Sequence, residues 1–229
     1  MQIHILTIFP KIFESFFAES NIQKAILKEK QKIFIHNLRD WTDDKYQSVD
    51  DHPYGGGAGM VMKIEPIYRA LRDIKVGLKG KIKIIVTSAK GTTYVQSKAM
   101  EFSKLDNLII ICGHYEGIDE RVSQYLADEE ISIGNYVLSG GEAATIVIVD
   151  TIARILPDVL GNQESLNEES FSEDTSLEYP HYTKPSIFIT EEGKELKVPE
   201  VLLNGNHKEI NLWRTEHSTK QKKNKQLIK

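Results

Sequence analysis

Residues 133–142 read IGNYVLSGGE, and the way this stretch joins its neighbours decides the fold. Upstream, Glu130 to Ile133 has strand character. Downstream, Glu142 to Leu156 is the most apolar helical segment of the chain. Between them Gly134 and Asn135 break the strand, and Ser139-Gly140-Gly141 turns the backbone into the helix. Glycine suits a sharp turn or a close approach because it has no Cβ to collide. A strand that ends in a glycine turn and feeds a helix is the unit from which α/β domains are built.

The same grammar recurs on both sides. Asn107 to Cys112 (NLIIIC) is a strongly apolar strand, followed by the loop GHYEGID (Gly113 to Asp119) and a helix over Asp119 to Leu126. Lys81 to Thr87 is a strand, followed by SAKG (Ser88 to Gly91) and a helix over Tyr94 to Phe102. Nearer the start, Ile3 to Phe9 reads as a buried strand ending at Pro10. Lys11 to Lys30 has helical spacing with a break near Ser20 and Asn21, and Lys32 to Leu38 is a second strand. Arg39 to Met60 shows no sustained period and carries Pro53 and GGGAG, so it is a long irregular loop. Loops of that length are commonly functional. Glu65 to Ile74 is a helix with Pro66 at an early position, where proline is tolerated. Alternating strands and helices predict an α/β domain with a mostly parallel sheet. In such sheets ligands bind outside the carboxyl ends of the strands. SAKG, GHYEGID and GNYVLSGG are therefore expected to line one backbone-rich pocket.

Composition narrows the function classes. With 229 residues the chain holds one large or two smaller units, and 40% hydrophobic residues suffice for a core. A net charge of −4 argues against indiscriminate coating of nucleic acid. The single cysteine, Cys112, allows neither a disulfide framework nor a paired-cysteine metal knuckle, and its apolar setting predicts a buried thiol. No signal-peptide pattern precedes the first strand, and the apolar run from Ala143 to Leu156, with Asp150 and Arg154 inside it, is too short to span a bilayer. A cytoplasmic location without membrane contact is expected. No GxGxxG, GxxxxGK[ST] or GxSxG pattern is complete, so a dinucleotide fold, a P-loop and a nucleophile elbow are not indicated.

Among the charged side chains, Asp119 reads as the start of a helix. Glu116 is open between catalytic carboxylate, metal ligand and early helix residue. Arg154 in an apolar helix must find a partner or water, or else serve an anionic reacting group. His52, His114 and His207 lie in loops without zinc spacing, and His4 and His36 fall in strand patterns. After Pro157 the composition shifts. Asn162 to Glu178 carries six acidic residues and no Lys or Arg, which predicts a flexible linker. From His207 to Lys229 there are seven Lys or Arg against two Glu, so the end of the chain is basic and suited to phosphate contacts.

LTIFPKIF, HPYGGGAGMVMK, CGHYEGIDERV, SIGNYVLSGGE, PHYTKP and GNHKEINLWR occur in that order. Together they closely resemble the bacterial tRNA (guanine-N1)-methyltransferases that modify the nucleotide 3′ of the anticodon, position 37 of tRNA. The resemblance runs over nearly the whole chain. It implies a SPOUT-type knotted α/β domain over residues 1–160, an acidic linker over 161–178 and a small, mainly helical, tRNA-binding domain over 179–229. The knot is an exception to the rule against knotted chains, and the resemblance further implies a homodimer and S-adenosylmethionine as methyl donor. The cofactor-binding positions it implies are Ser88, Gly91, Gly113, Tyr115, Glu116, Ile133, Gly134, Asn135, Tyr136, Val137, Leu138, Gly140 and Gly141. It implies Arg154 as a catalytic arginine and Glu169, in Glu169-Ser170-Phe171, as the general base, where the family usually has Asp. Lys184 stands where the family usually has Arg, and Lys63 is a further implied tRNA contact. No dedicated metal site is expected, although the resemblance associates Mg2+ with the reaction and Glu116 could contribute to it. The alternative reading is a non-catalytic RNA-binding protein of the same fold, which the Glu at position 169 would favour.

Overall fold

A computed structural model of the chain describes residues 1–160 and 178–225, with side chains to residue 218. The chain forms two compact units, Met1–Gly161 and Asn162–Lys229. The first is built on a five-stranded sheet of β1 (Gln2–Thr7), β2 (Lys32–Asn37), β5 (Ile82–Thr93), β6 (Asn107–Cys112) and β7 (Glu129–Ser132). Their order is β2-β1-β6-β5-β7 and every pairing is parallel. Two short strands, β3 (Asp50–Asp51) and β4 (Val61–Met62), form a separate antiparallel ribbon.

β6 shows why the sheet is two-sided. All six of its residues are buried. Alternation sends Leu108, Ile110 and Cys112 to one face and Ile109 and Ile111 to the other. The first face packs against α1 (Glu14–Phe17), α2 (Ser20–Leu27) and α6 (Glu142–Ile155), through Phe17, Ile22, Ala25, Ile148, Val149 and Ile152. The second packs against α3 (Ile64–Lys75) and α5 (Glu120–Tyr125), through Ile67, Ala70, Leu71, Ile74 and Val122. Each of these aliphatic side chains contributes about 1.5–3 kcal/mol when fully buried. A helix α4 (Gln96–Phe102) completes the first unit.

Two expectations are corrected. SAKG is not a loop after a finished strand. Ser88 to Gly91 lie inside β5, where the pairing with β7 is interrupted between Thr87 and Thr92 and then resumes. The strand pattern hid this because the polar residues there face outward at an irregularity rather than ending the ladder. The long loop before residue 60 contains a 3-10 turn at Leu38–Trp41 and the strand β3. On α6, Ala143 and Val147 are exposed and Asp150 and Arg154 are half-buried along the same side.

The second unit contains a hairpin, β8 (Ile187–Ile189) with β9 (Glu195–Lys197), a 3-10 turn at Glu200–Leu202 and helix α7 (His207–Lys225). Within it Trp213 stacks on His217 at 3.9 Å between ring centroids, and the Arg214 guanidinium lies 4.7 Å over the Tyr179 ring. Among the described residues no helix is long and apolar enough to cross a membrane.

Candidate functional site

The parallel strands β5, β6 and β7 all deliver their carboxyl ends to one edge of the sheet, and a cavity of about 440 Å³ opens there. Its walls are the outer part of β5, the loop after β6 and the loop after β7. That volume lies within the range of small-molecule sites.

The loop after β7 is held by its backbone. The Gly141 N–H donates to the Gly113 carbonyl at 2.7 Å, and Gly140 makes an antiparallel bridge with His114. Two strand ends that are separated by β5 are thereby tied together directly. The approach requires glycine. A Cβ on Gly141 would sit 1.9 Å from Thr87 Oγ1 and 2.8 Å from Gly113 N, while one on Gly140 would meet Glu142 Oε2 at 2.4 Å and His114 Nδ1 at 2.5 Å. Beneath the turn lies a buried polar cluster. Thr145 Oγ1 donates to Gly141 O at 2.9 Å and lies 3.1 Å from Cys112 Sγ. Burial pushes the Cys112 thiol far up, so it is held neutral.

The loop after β6 is braced from the opposite side. Glu116 N–H donates to Met60 O at 3.1 Å, Met62 N–H to Gly117 O at 2.9 Å and Asp119 N–H to Met62 O at 2.9 Å. The irregular segment around PYGGGAG is thus stitched to GHYEGID. Tyr115 holds a left-handed backbone, with φ of 59°. Asp119 caps α5 by accepting from Arg121 N–H at 3.0 Å and pairs with the Arg121 guanidinium, which holds its carboxyl below the usual range. The helix-start reading of Asp119 is the one observed.

The structure brings together Ser88, Gly113, Tyr115, Glu116, Ile133, Gly134, Tyr136, Val137, Leu138, Gly140 and Gly141 around the cavity. It does not bring Gly91 or Asn135 to it. Gly91 is instead required by strand packing, since a Cβ there would sit 2.5 Å from the Glu130 carbonyl carbon. Asn135 points its exposed position outward. Arg154 is also absent from the lining. Only Ala144, near the start of α6, reaches the cavity, and Arg154 stands ten residues further along that helix, about 15 Å at the helical rise. Glu169, with Ser170 and Phe171, lies outside the described residues. Lys63 is half-buried at the start of α3, and Lys184 is exposed in the second unit.

Sequence reasoning missed the charged end of the cavity. Lys90, Glu120 and Glu130 line it, with Lys90 Nζ 2.5 Å from Glu120 and 3.5 Å from Glu130. The hydrogen bond that Lys90 donates to Glu120 is the chief cause raising the Lys90 pKa. Nothing in the local pattern joins residues from a strand irregularity, a helix start and the next strand. Among the described residues no group of three or more His, Cys, Asp or Glu is arranged to hold a metal ion.

The cavity suits a flat, apolar ligand with polar edges. Val137 is 88% exposed and Tyr136, Leu138 and Tyr115 are 41–53% exposed around its mouth, a concentration of uncovered apolar surface. Comparison with known proteins agrees on one family. The family model described as tRNA (Guanine-1)-methyltransferase TrmD matches residues 1–228. A Carboxydothermus hydrogenoformans protein named tRNA (guanine-N(1)-)-methyltransferase is 52% identical over 220 residues, covering 95% of this chain and 83% of its own. Proteins of the same name from Clostridioides difficile (48% identical, 95% and 92% covered) and Oceanobacillus iheyensis (47% identical, 95% and 86% covered) are similar to it as well.

Proposed function

This chain belongs to the tRNA (guanine-1)-methyltransferase family, and we propose that it transfers a methyl group from S-adenosylmethionine to N1 of the guanine at position 37 of tRNA. The observation that carries this reading is the cavity itself. It is a backbone-walled pocket at the carboxyl edge of β5–β7, closed by the Gly140–His114 bridge and rimmed by Tyr115, Tyr136 and Leu138. Adenine needs apolar faces with amide and carbonyl groups at its edge, and this wall offers both.

When bound, the cofactor supplies an electrophilic methyl group on a sulfonium. The guanine N1 lone pair forms the new N–C bond as the C–S bond breaks and its electron pair returns to sulfur. Neutral guanine carries a proton on N1, so a carboxylate must take it, and we assign that role to Glu169. Negative charge gathers on guanine O6 as the proton leaves, and Arg154 is the cation that stabilises it. Glu116 stands at the mouth, where an entering base would pass.

Arg154 is not among the residues that line the cavity of its own subunit. α6 runs away from that edge, and its far end adjoins Asp158, which pairs with Lys30 at 2.8 Å just before β2 begins. We assign Arg154 to the cavity of a second copy in a homodimer. The exposed Ala143 and Val147 on α6, with the exposed Ile12 and Phe16 of the same unit, support that pairing. A knotted path is supported by the chain's course. It leaves β7 at the sheet edge, bonds back to the end of β6, and enters α6, which packs on α2 and α4. We assign tRNA phosphate contacts to the basic end of the chain from His207 to Lys229, with Lys184, and to Lys63. We assign the protein to the cytoplasm, where such a substrate is found.

The test is single-turnover transfer of labelled methyl from S-adenosylmethionine to two tRNA transcripts, one with guanine at position 37 and one with adenine. Transfer to the first alone is expected. Equal labelling of both, or none, would overturn the reading.

A further inference from the structure

Glu142, the first residue of α6, is only 4% exposed, a rare place for a carboxylate. Its Oε1 accepts from the Thr7 hydroxyl at 2.7 Å, and that hydroxyl oxygen accepts in turn from the Phe9 N–H at 2.9 Å. Thr7 is fully buried at the end of β1. The carboxylate therefore anchors the start of α6 to a strand that contributes nothing to the cavity lining. The other oxygen, Oε2, is turned toward Gly140. It and His114 Nδ1 both lie within 2.5 Å of the point a Cβ on Gly140 would occupy. His114 Nδ1 is buried and has no hydrogen-bond partner. Glu142 and His114 thus both lie against the Gly140 turn.

A carboxylate kept only to satisfy the helix N-terminus gains from the macrodipole wherever it points. It does not need a threonine on another strand or an approach to the turn that forms the cavity wall. We propose that Glu142 is a positioning residue for the cofactor cavity, anchored by Thr7 and fixing His114 and the Ser139–Gly141 turn so that the loops after β6 and β7 keep one spacing. The inference rests on the reading of this cavity as the cofactor site. Backbone groups do the binding there, so whatever sets the spacing of the two walls sets cofactor affinity and leaves the methyl-transfer step alone. Gln at position 142 keeps an acceptor for Thr7 and fills the same volume against the Gly140 turn. Ala provides neither, and Thr7→Val removes the anchor at nearly constant volume.

Full-length wild type, Glu142→Ala, Glu142→Gln and Thr7→Val are titrated with S-adenosylmethionine, and amide hydrogen exchange at Gly141 is followed without cofactor. Glu142→Ala is expected to weaken binding by about tenfold or more, the equivalent of one charge-assisted hydrogen bond. KM for the cofactor should rise in step while kcat stays within about threefold. Thr7→Val should weaken binding by about threefold or more, and Glu142→Gln should stay within about threefold of wild type. Exchange of the Gly141 amide, which donates to Gly113 O, should accelerate in the Ala and Val variants and not in the Gln variant. The proposal is overturned if Glu142→Ala binds cofactor within about twofold of wild type, if kcat falls at unchanged KM, or if Gln fails to rescue. Should Glu142→Ala not fold, Thr7→Val decides: normal affinity with normal Gly141 exchange overturns the proposal. A wild type that binds no S-adenosylmethionine counts against the cofactor reading, and the exchange comparison then judges the positioning role alone.

Discussion

Replacing Gly141 with alanine isolates the packing of the cavity wall, because its φ of −79° is open to any residue and the backbone bears no conformational penalty. The added methyl would lie 1.9 Å from Thr87 Oγ1, 2.8 Å from Gly113 N and 2.9 Å from Cys112 Cα. Thr87 could rotate, but the other two neighbours are backbone of the central region. Relief therefore moves the turn away from β6 and stretches the 2.7 Å bond from Gly141 N–H to Gly113 O. Overpacking of a tight site costs about 1–3 kcal/mol, and loss of a buried backbone bond adds about 1 kcal/mol or more. A total of about 3 kcal/mol lowers Tm by roughly 6–12 °C for a domain of this size. Thermal unfolding reads that shift, and titration with S-adenosylmethionine should show binding lost or severely weakened. Adding Thr87→Ala should recover only part of both, since two of the three contacts remain. A Gly141→Ala protein that melts with wild type and binds cofactor normally would refute the reasoning.

Three further outcomes are expected. Arg154→Ala should slow methyl transfer by about 100-fold or more with cofactor affinity unchanged, and mixing it with Gly141→Ala subunits should restore activity; no recovery would place Arg154 in its own subunit's site. Glu169→Gln should lose about 100-fold or more in transfer rate while retaining cofactor binding, and near-normal turnover would remove Glu169 from the role of base. Burial, reinforced by His36 at 3.1 Å, pushes the His4 pKa from 6.5 down to about 4. Its native form resists protonation, so its contribution to stability is complete above the unfolded value and drains as pH falls from 6.5 toward about 4. The loss is on the order of 1–2 kcal/mol; urea midpoints near neutral pH and at about pH 4.5 should converge in His4→Asn, and an unchanged pH slope would contradict the assignment.

The sequence carried those parts of the molecule whose cause is local. β6 reads as a strand from Asn107 to Cys112 because it is buried on both faces, and it runs over those residues. Asp119 announces a helix because an Asx cap acts within three residues. The two glycine loops after β6 and β7 meet because parallel strands deliver them to one edge. What local pattern could not carry is whatever depends on strand order. Ser88 to Gly91 look like a loop until β7 is known to resume its pairing at Thr92. Lys90, Glu120 and Glu130 become neighbours only when β5 lies between β6 and β7. The bond between Glu142 and Thr7, 135 positions apart in the chain, likewise exists only once β1 and α6 are brought together. The open stripe of α6 has the same origin: an apolar helix reads as buried, and the sequence does not say by what.

The most direct measurement is nucleoside mass analysis of a tRNA transcript after one turnover with this protein and S-adenosylmethionine, with the modified position mapped by fragmentation. The account predicts 1-methylguanosine at position 37 and at no other guanine. Methylation of a ribose, of another atom of guanine, or of guanines elsewhere in the transcript would contradict it.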